Sequence, residues 1–282
     1  MSAPETTRPA RASRSVAAVG LSRAKIELLQ FYREKESMIF IFAFPVVMMV
    51  IFASAFGNSP NFIEIKGAGI SAAQYYVTSM IATGVMLTSF QAMAISIAIE
   101  RDDETLKMLR GTPMPPMAYF VGKVGQVLVT TVVQIVLLLA LARVAYSVRL
   151  PATAELWFRL AWLIALGSAA GTALGIAFSS VPRTGRTASA VVTPVVLILQ
   201  FISGVYFPYG QLPSWMHAIA SVFPLKWMAQ GMRSVFLPDW FVSQEPGGSF
   251  HLATGAAVLG VWLVVGLLFA TRTFRWVNER RA

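Results

Sequence analysis

Long apolar runs alternate with short polar segments along the whole chain. Each run holds about 20 residues, the length that an α-helix needs to cross the hydrocarbon core of a bilayer. The runs do not alternate residue by residue as barrel strands do, and backbone groups in hydrocarbon must be paired within their own segment. The pattern therefore predicts an all-α membrane protein with six transmembrane helices. They are expected near residues 38–56, 75–99, 120–142, 157–178, 188–207 and 252–271.

The chain before the first span divides into two parts. Residues 1–14 contain Pro and Arg but no apolar run, which predicts a disordered tail without a signal peptide. Residues 15–37 predict an amphipathic helix that lies in the interface plane and runs into the first span as an elbow. A surface helix without a role is the alternative. Its apolar side holds Leu21, Ile26, Leu28, Leu29 and Tyr32, and its polar side holds Arg23, Glu27, Gln30 and Glu34.

The segment between the second and third spans, from Glu100 to Pro113, is densely charged. Leu106 and Leu109 stand three residues apart, so a short helix here would have one apolar edge for the groove of a partner. A bare membrane anchor has no use for such a segment, and we interpret it as the docking surface for a separate motor protein. The predicted contacts are Glu100, Arg101, Asp102, Asp103, Thr105, Leu106 and Leu109.

Basic residues indicate the orientation, because Lys and Arg stay cytoplasmic when helices insert. Six spans place both termini on one side, and that side holds 17 of the 23 Lys and Arg residues. The charged segment is therefore expected in the cytoplasm, and the loop 208–251 outside. The net charge of +10 then reflects cytoplasmic helix ends and anionic lipids, and we expect no binding of nucleic acid.

The outer loop is too apolar for a solvated loop. It predicts two short helices broken at Pro224, with tryptophans at head-group level, which suits a re-entrant pair in the outer leaflet. Aromatic anchoring alone and a gating role both remain open. The candidate gate residues are Ser203, Gly204, Phe207, Pro208, Trp215, Pro224 and Trp227.

Polar residues near the predicted span centres are uncharged. A secondary transporter normally needs an ionisable group there. Neutral groups suit an uncharged or amphipathic cargo, or they join helices by hydrogen bonds. The candidate substrate path is Thr88, Gln91, Gln200 and Phe201. Gly167, Gly171 and Gly175 in the fourth span predict close helix packing, either within the chain or at a dimer seam.

Catalytic chemistry has no candidate residues in this chain. It has no cysteine, both histidines fall in the outer region, and no carboxylate lies mid-span, so neither a nucleophile nor a metal site is expected. Gly122-Lys123 is followed by valine, which breaks the phosphate-loop pattern. ATP and magnesium would accordingly bind to a partner subunit.

Three features together carry a resemblance to a known family. They are the amphipathic N-terminal helix, the pattern E-R-x-x-x-T-L-x-x-L-x-x-T-P from Glu100, and S-G-x-x-F-P…L-P-x-W…P-L-x-W from Ser203 to Trp227. The chain resembles the permeases of type-2 ABC exporters, and most closely the daunorubicin-resistance branch. One departure is Glu104, where the family has glycine before Thr-Leu, so the bend and the docking contact are expected to differ.

The resemblance implies a six-helix permease that pairs with a second copy or a sister permease above separate ATP-binding subunits. Such an assembly exports a drug, an antibiotic or a lipid-like molecule. The excess of 17 Arg over 6 Lys is typical of a high-GC bacterial genome, and we expect a bacterial cell membrane. The alternatives are a secondary transporter and a membrane scaffold, neither with a dedicated ATPase.

Overall fold

The computed structural model describes residues 16–57, 62–65, 68–112 and 114–273. Six helices in this part of the chain are long and apolar enough to cross a membrane, which confirms the six predicted spans. The predicted tail, residues 1–14, lies outside the described residues. The helices are α1 (Val16–Arg33), α2 (Lys35–Ala55), α3 (Ala72–Met86), α4 (Ala92–Asp102), α5 (Thr105–Arg110), α6 (Pro116–Tyr146), α7 (Ala154–Phe178), α8 (Gly185–Ile202), α9 (Ser214–Val222), α10 (Pro224–Phe236) and α11 (Leu252–Thr273).

Two details differ from the predicted all-α pattern. Strands β1 (Ile63–Ile65) and β2 (Ala68–Ile70) pair antiparallel between the first two spans, with Ile63 opposite Ile70. The fifth span ends at Ile202 rather than at 207. It ends there because Gly204 adopts φ +72°, which a helix does not allow.

The second span lies at the centre of the bundle. All 15 residues of α3 are buried, and this helix packs against α2, α6 and α10. A π-helical turn, Leu87–Gln91, joins α3 to α4 within the same span. Most polar side chains on so buried a helix are paired inside the protein. Gln74 illustrates this, since its amide donates to the Phe236 carbonyl at 2.7 Å and accepts from the Arg149 N–H at 2.7 Å.

Glycines let α7 approach this central span closely. A Cβ atom at Gly171 would lie 2.0 Å from the Ser89 hydroxyl oxygen, and one at Gly175 would lie 2.8 Å from the Phe90 carbonyl oxygen. Gly167 faces Met228 in the same way. The glycine strip therefore packs within the chain, which is one of its two predicted roles.

Gly175→Ala should destabilise the fold. The added methyl group meets backbone atoms, which cannot rotate away, so we expect a loss of about 1–3 kcal/mol, the usual cost of overpacking. Gly260→Ala is the matched control, because a Cβ atom there meets nothing within 4 Å. Thermal unfolding in detergent measures both variants. Equal melting temperatures would contradict the close approach of α7.

Candidate functional site

The charged segment turns sharply between α4 and α5. Asp103 caps α5, since its Oδ1 accepts from the Thr105 N–H at 3.0 Å. Glu104 adopts φ +65°, in the left-handed region that favours glycine and costs other residues about 1–2 kcal/mol. Because Glu104 stands where the family has glycine, we expected a different backbone bend here. The backbone of Glu104 nevertheless adopts the conformation that glycine favours.

The apolar edge of α5 faces the chain itself. Leu106 is 1% exposed and packs with Met93, Ile97 and Tyr119, and Leu109 packs against the same cluster. The edge predicted to face a partner groove is therefore covered by α4 and α6, and the docking role of these leucines stays a prediction. The outward side of this segment, called here the exposed α5 face, consists of Asp103, Glu104, Lys107 and Met108.

Arg101 and Asp102 fasten the end of α4 to the turn before α8. Arg101 Nη2 donates to the Pro182 carbonyl at 2.8 Å. Asp102 Oδ2 accepts from the Gly185 N–H at 3.1 Å, at the start of α8. These two predicted docking residues thus hold the chain's own turn in place.

Glu100 belongs to a buried ion network beneath α5. Lys123 of α6 is 1% exposed, and its ammonium group donates to Glu27 Oε2 at 2.7 Å, to Ser96 Oγ at 2.9 Å and to Glu100 Oε1. The Tyr119 hydroxyl donates to the other oxygen of Glu100 at 2.8 Å. One cation therefore joins α1, α4 and α6. The ion network, as the term is used below, comprises Arg23, Glu27, Glu100, Tyr119 and Lys123.

Helix α1 turns its polar side inward to complete this network. Arg23 pairs with Glu27 at 2.5 Å, and both side chains are buried against α6. Gly122 permits the approach, because a Cβ atom there would lie 2.5 Å from Arg23 Cγ. Leu21 and Tyr32, on the opposite side, are about 70% exposed. Helix α1 covers residues 16–33 of the helix predicted for residues 15–37, and Arg23 and Glu27 of its polar side face protein.

A cavity of about 460 Å³ opens beside the ion network. Its walls come from α1, α2, α4, α6 and α8, and its lining includes Glu27, Glu100 and Gln91. The Gln91 amide nitrogen lies 3.4 Å from Thr193 Oγ1. The ion network and the cavity beside it were not predicted from the sequence, because Glu27, Glu100 and Lys123 are far apart in the chain.

The structure separates the four predicted path residues. Gln91 lines the cavity, but Thr88 bonds to Thr131 at 2.6 Å inside the bundle. Gln200 is fully buried and accepts a hydrogen bond from the Tyr206 hydroxyl. Phe201 is half exposed on the outside of the chain. Of these four, Gln91 is the one that remains a candidate for the path through this cavity.

Two tyrosines of α3 hold the start of the outer segment. The Tyr75 hydroxyl donates to the Gly204 carbonyl at 3.3 Å, and the Tyr76 hydroxyl donates to the Tyr206 carbonyl at 3.0 Å. Ser203 and Gly204 are buried as a result, whereas Phe207 is half exposed and Pro208 is partly covered.

The two predicted outer helices are present as α9 and α10, and the break between them comes at Phe223 and Pro224. All 13 residues of α10 are buried. Trp215 is 57% exposed, as an interfacial anchor requires, but Trp227 is 9% exposed and donates its indole N–H to the Ser221 carbonyl at 2.7 Å. Trp227 is therefore covered by protein, and its head-group position stays a prediction.

Helix α10 carries two buried cations, Arg233 and Lys226. Arg233 donates to both oxygens of Glu245, and each side chain is almost fully enclosed. The Lys226 ammonium lies 3.3 Å from the centre of the Trp227 ring. Burial lowers the pKa of Lys226 from 10.5 to about 8, with a further lowering from Arg233 that Glu245 opposes.

The family model of the ABC-2 type transporters matches residues 23–237. The chain belongs to the ABC-2 type transporter family. The matched region of this ABC-2 chain runs from the ion network on α1 to the end of α10, and so contains the cavity, α5 and the outer helices.

Two curated relatives are similar over a shorter region. Both are named "Probable multidrug ABC transporter permease YbhR", one from Escherichia coli strain K12 and one from Escherichia coli O157:H7. Each is 24% identical over 168 residues, which is 58% of the ABC-2 chain. The chain spans 44% of the length of these relatives.

Lys123→Met should destabilise the ABC-2 chain by about 3–5 kcal/mol, because it leaves Glu100 without a cation and Glu27 with Arg23 alone. Lys107→Met is the matched control. Its exposed pair with Glu104 is worth less than about 1 kcal/mol. Urea unfolding in detergent compares the two variants. If Lys123→Met unfolds at the same urea concentration as Lys107→Met, the ion network does not hold the three helices together.

The free energy of unfolding should rise between pH 8 and pH 10.5 through Lys226. In this window the unfolded chain binds the proton that folded Lys226 has lost, so stability increases with pH. Lowering this pKa from 10.5 to about 8 corresponds to about 3 kcal/mol at most. Lys226→Met should remove this part of the rise, and Lys107→Met should keep it. Identical pH profiles for both variants would contradict the assignment.

Proposed function

We propose that this chain is the membrane-spanning permease subunit of an ATP-driven exporter, and that it is not an enzyme by itself. A separate subunit would bind ATP and magnesium and dock on the exposed α5 face. The observation that carries the proposal is the position of α5. It presents Lys107 and Met108 outward, each at least 60% exposed, and rests on the buried ion network.

The distribution of basic residues supports a cytoplasmic position for both termini and for α5. In that orientation α5 serves as the coupling helix of a multi-pass protein in a bacterial cell membrane. A force on α5 would pass to α4, against which Leu106 packs. Membership of the ABC-2 family agrees with such a partnership.

The other two helical features receive roles by the same reasoning. Helix α1 has its apolar side exposed and its polar side buried, which suits an elbow helix against the cytoplasmic leaflet. Helices α9 and α10 would form the re-entrant pair that closes the outer side, with Trp215 toward lipid. Residues 15–282 would then form one transmembrane domain of the ABC-2 type behind a short cytoplasmic tail.

The cargo we propose is a hydrophobic or amphipathic molecule, such as a drug, an antibiotic or a lipid-like compound. The names of the two relatives mention multidrug transport, and the sequence resembles the daunorubicin-resistance branch. The permease would work as a pair, with either a second copy or a sister permease, as the resemblance implies.

Lys107→Glu should detach the ATPase subunit without unfolding the permease, because Lys107 is exposed. The tagged chain is purified from its native membrane in mild detergent, and co-purifying proteins are identified by mass spectrometry. We expect a partner with a phosphate-loop sequence and ATPase activity, reduced at least tenfold in the variant. Arg183→Glu, an equally simple charge reversal at another exposed site, should keep the partner.

Leu106→Asp is unsuitable as a docking test, because it places a charge in the core of the chain and would unfold this region. If wild type brings no nucleotide-binding partner, the exporter proposal fails in favour of a secondary transporter or a scaffold. If Lys107→Glu and Arg183→Glu keep the partner equally, the partner docks elsewhere than on the exposed α5 face.

A further inference from the structure

The cavity beside the ion network has an unusual charge. Five of the chain's 13 Asp and Glu residues line it, and no Lys or Arg of the described part of the chain does. This contrasts with the net charge of +10 for the whole chain. The five are Glu27, Glu34, Glu36, Glu100 and Asp103. A volume of about 460 Å³ lies within the range of small-molecule sites.

Two of these carboxylates pair with cations that do not line the cavity. Glu27 pairs with Arg23 and Lys123, and Glu100 pairs with Lys123. The remaining three, Glu34, Glu36 and Asp103, form no ion pair among the residues that the structure describes. The negative charge of the cavity is thus concentrated at α4's end and at the junction of α1 and α2.

The side chain of Gln91 adds a neutral acceptor to the same cavity. Gln91 is 5% exposed and lines the cavity from the π-helical turn. Its amide nitrogen bonds weakly to Thr193 at 3.4 Å, while its amide oxygen makes no hydrogen bond within the described residues. A ligand or water in the cavity can donate a hydrogen bond to this oxygen.

The rest of the wall is apolar. Aromatic and branched aliphatic side chains cover the space between the carboxylates and Gln91, and they would contact the body of a ligand. These side chains are Phe31, Phe40, Ile41, Ile95 and Ile99. The cavity therefore offers unpaired acceptors and negative charge around an apolar interior.

We propose that this cavity binds an amphipathic organic cation, whose charged group faces Glu34 and Glu36 and whose apolar body lies against α2 and α4. The assignment rests on the proposed function, since it names the cargo class of the same permease. An anion of the same shape would be repelled by three unpaired carboxylates. An uncharged molecule would gain no charge attraction from these carboxylates.

Binding of tetraphenylphosphonium tests this proposal. Tetraphenylborate has nearly the same size and shape but the opposite charge. Equilibrium dialysis uses the purified full-length permease in detergent, without any ATPase subunit, and subtracts binding to empty micelles. We expect saturable binding of the cation and at least tenfold weaker binding of the anion.

The double variant Glu34→Gln/Glu36→Gln should weaken cation binding by about fivefold to tenfold, because two nearby charges at a partly solvated site contribute on this order. Both residues are exposed, so the fold should be retained, and size-exclusion chromatography checks this. Glu155→Gln removes an equally exposed carboxylate that does not line the cavity. It should bind the cation as wild type does.

Two results would overturn the proposal. One is equal binding of the cation and the anion, and the other is undiminished cation binding by the double variant. Neither result depends on the exporter proposal, because no ATPase is present in the assay. Cation binding by a permease that has no ATPase partner would leave the cavity assignment intact and refute the exporter. ATP-driven export without cation binding would leave the exporter proposal intact and refute the cavity assignment.

Discussion

A single ammonium group holds three helices of this structure, α1, α4 and α6, together. Lys123 is buried, and a buried charge is tolerated only where it is paired and hydrogen-bonded. Glu27 and Glu100 satisfy it from two different helices, α1 and α4. Helix α1 must therefore lie along α6 with its polar side inward, and α4 must end where Glu100 reaches the same nitrogen. The cavity beside them and the position of α5 follow from these two requirements.

The sequence predicts the six spans well because the length and the unbroken apolar character of each run are local properties. It also predicts two outer helices, since Pro224 interrupts an apolar stretch. What it does not reveal is which side of a short amphipathic helix is already covered. Leu106 has the spacing expected of a docking edge, yet it packs against α4 and α6. The polar side of α1 has the spacing expected of a solvent-exposed surface, yet Glu27 is buried there. It pairs with Lys123, which lies 96 positions away in the sequence.

The candidate site was harder to predict than the fold for a related reason. Thr88, Gln91 and Gln200 are all neutral polar residues in apolar spans, and nothing local distinguishes them. Tertiary partners decide between them. Thr88 bonds across to α6, and Gln200 accepts from Tyr206. Gln91 lies at the end of a π-helical turn, whose extra residue rotates the helix relative to a regular α-helix, and it faces the cavity.

Helix α4 is the physical link between that cavity and the exposed α5 face. It has 11 residues, so it spans about 16 Å, with Gln91 before its first turn and Glu100 in its last. Arg101 and Asp102 attach its end to the turn before α8, and Glu100 attaches it to Lys123. We expect a short helix fixed at one end by three such contacts to move as a rigid body. A displacement of α5 must therefore either carry α4 and the cavity wall with it or break a buried charge contact, and the second course costs several kcal/mol.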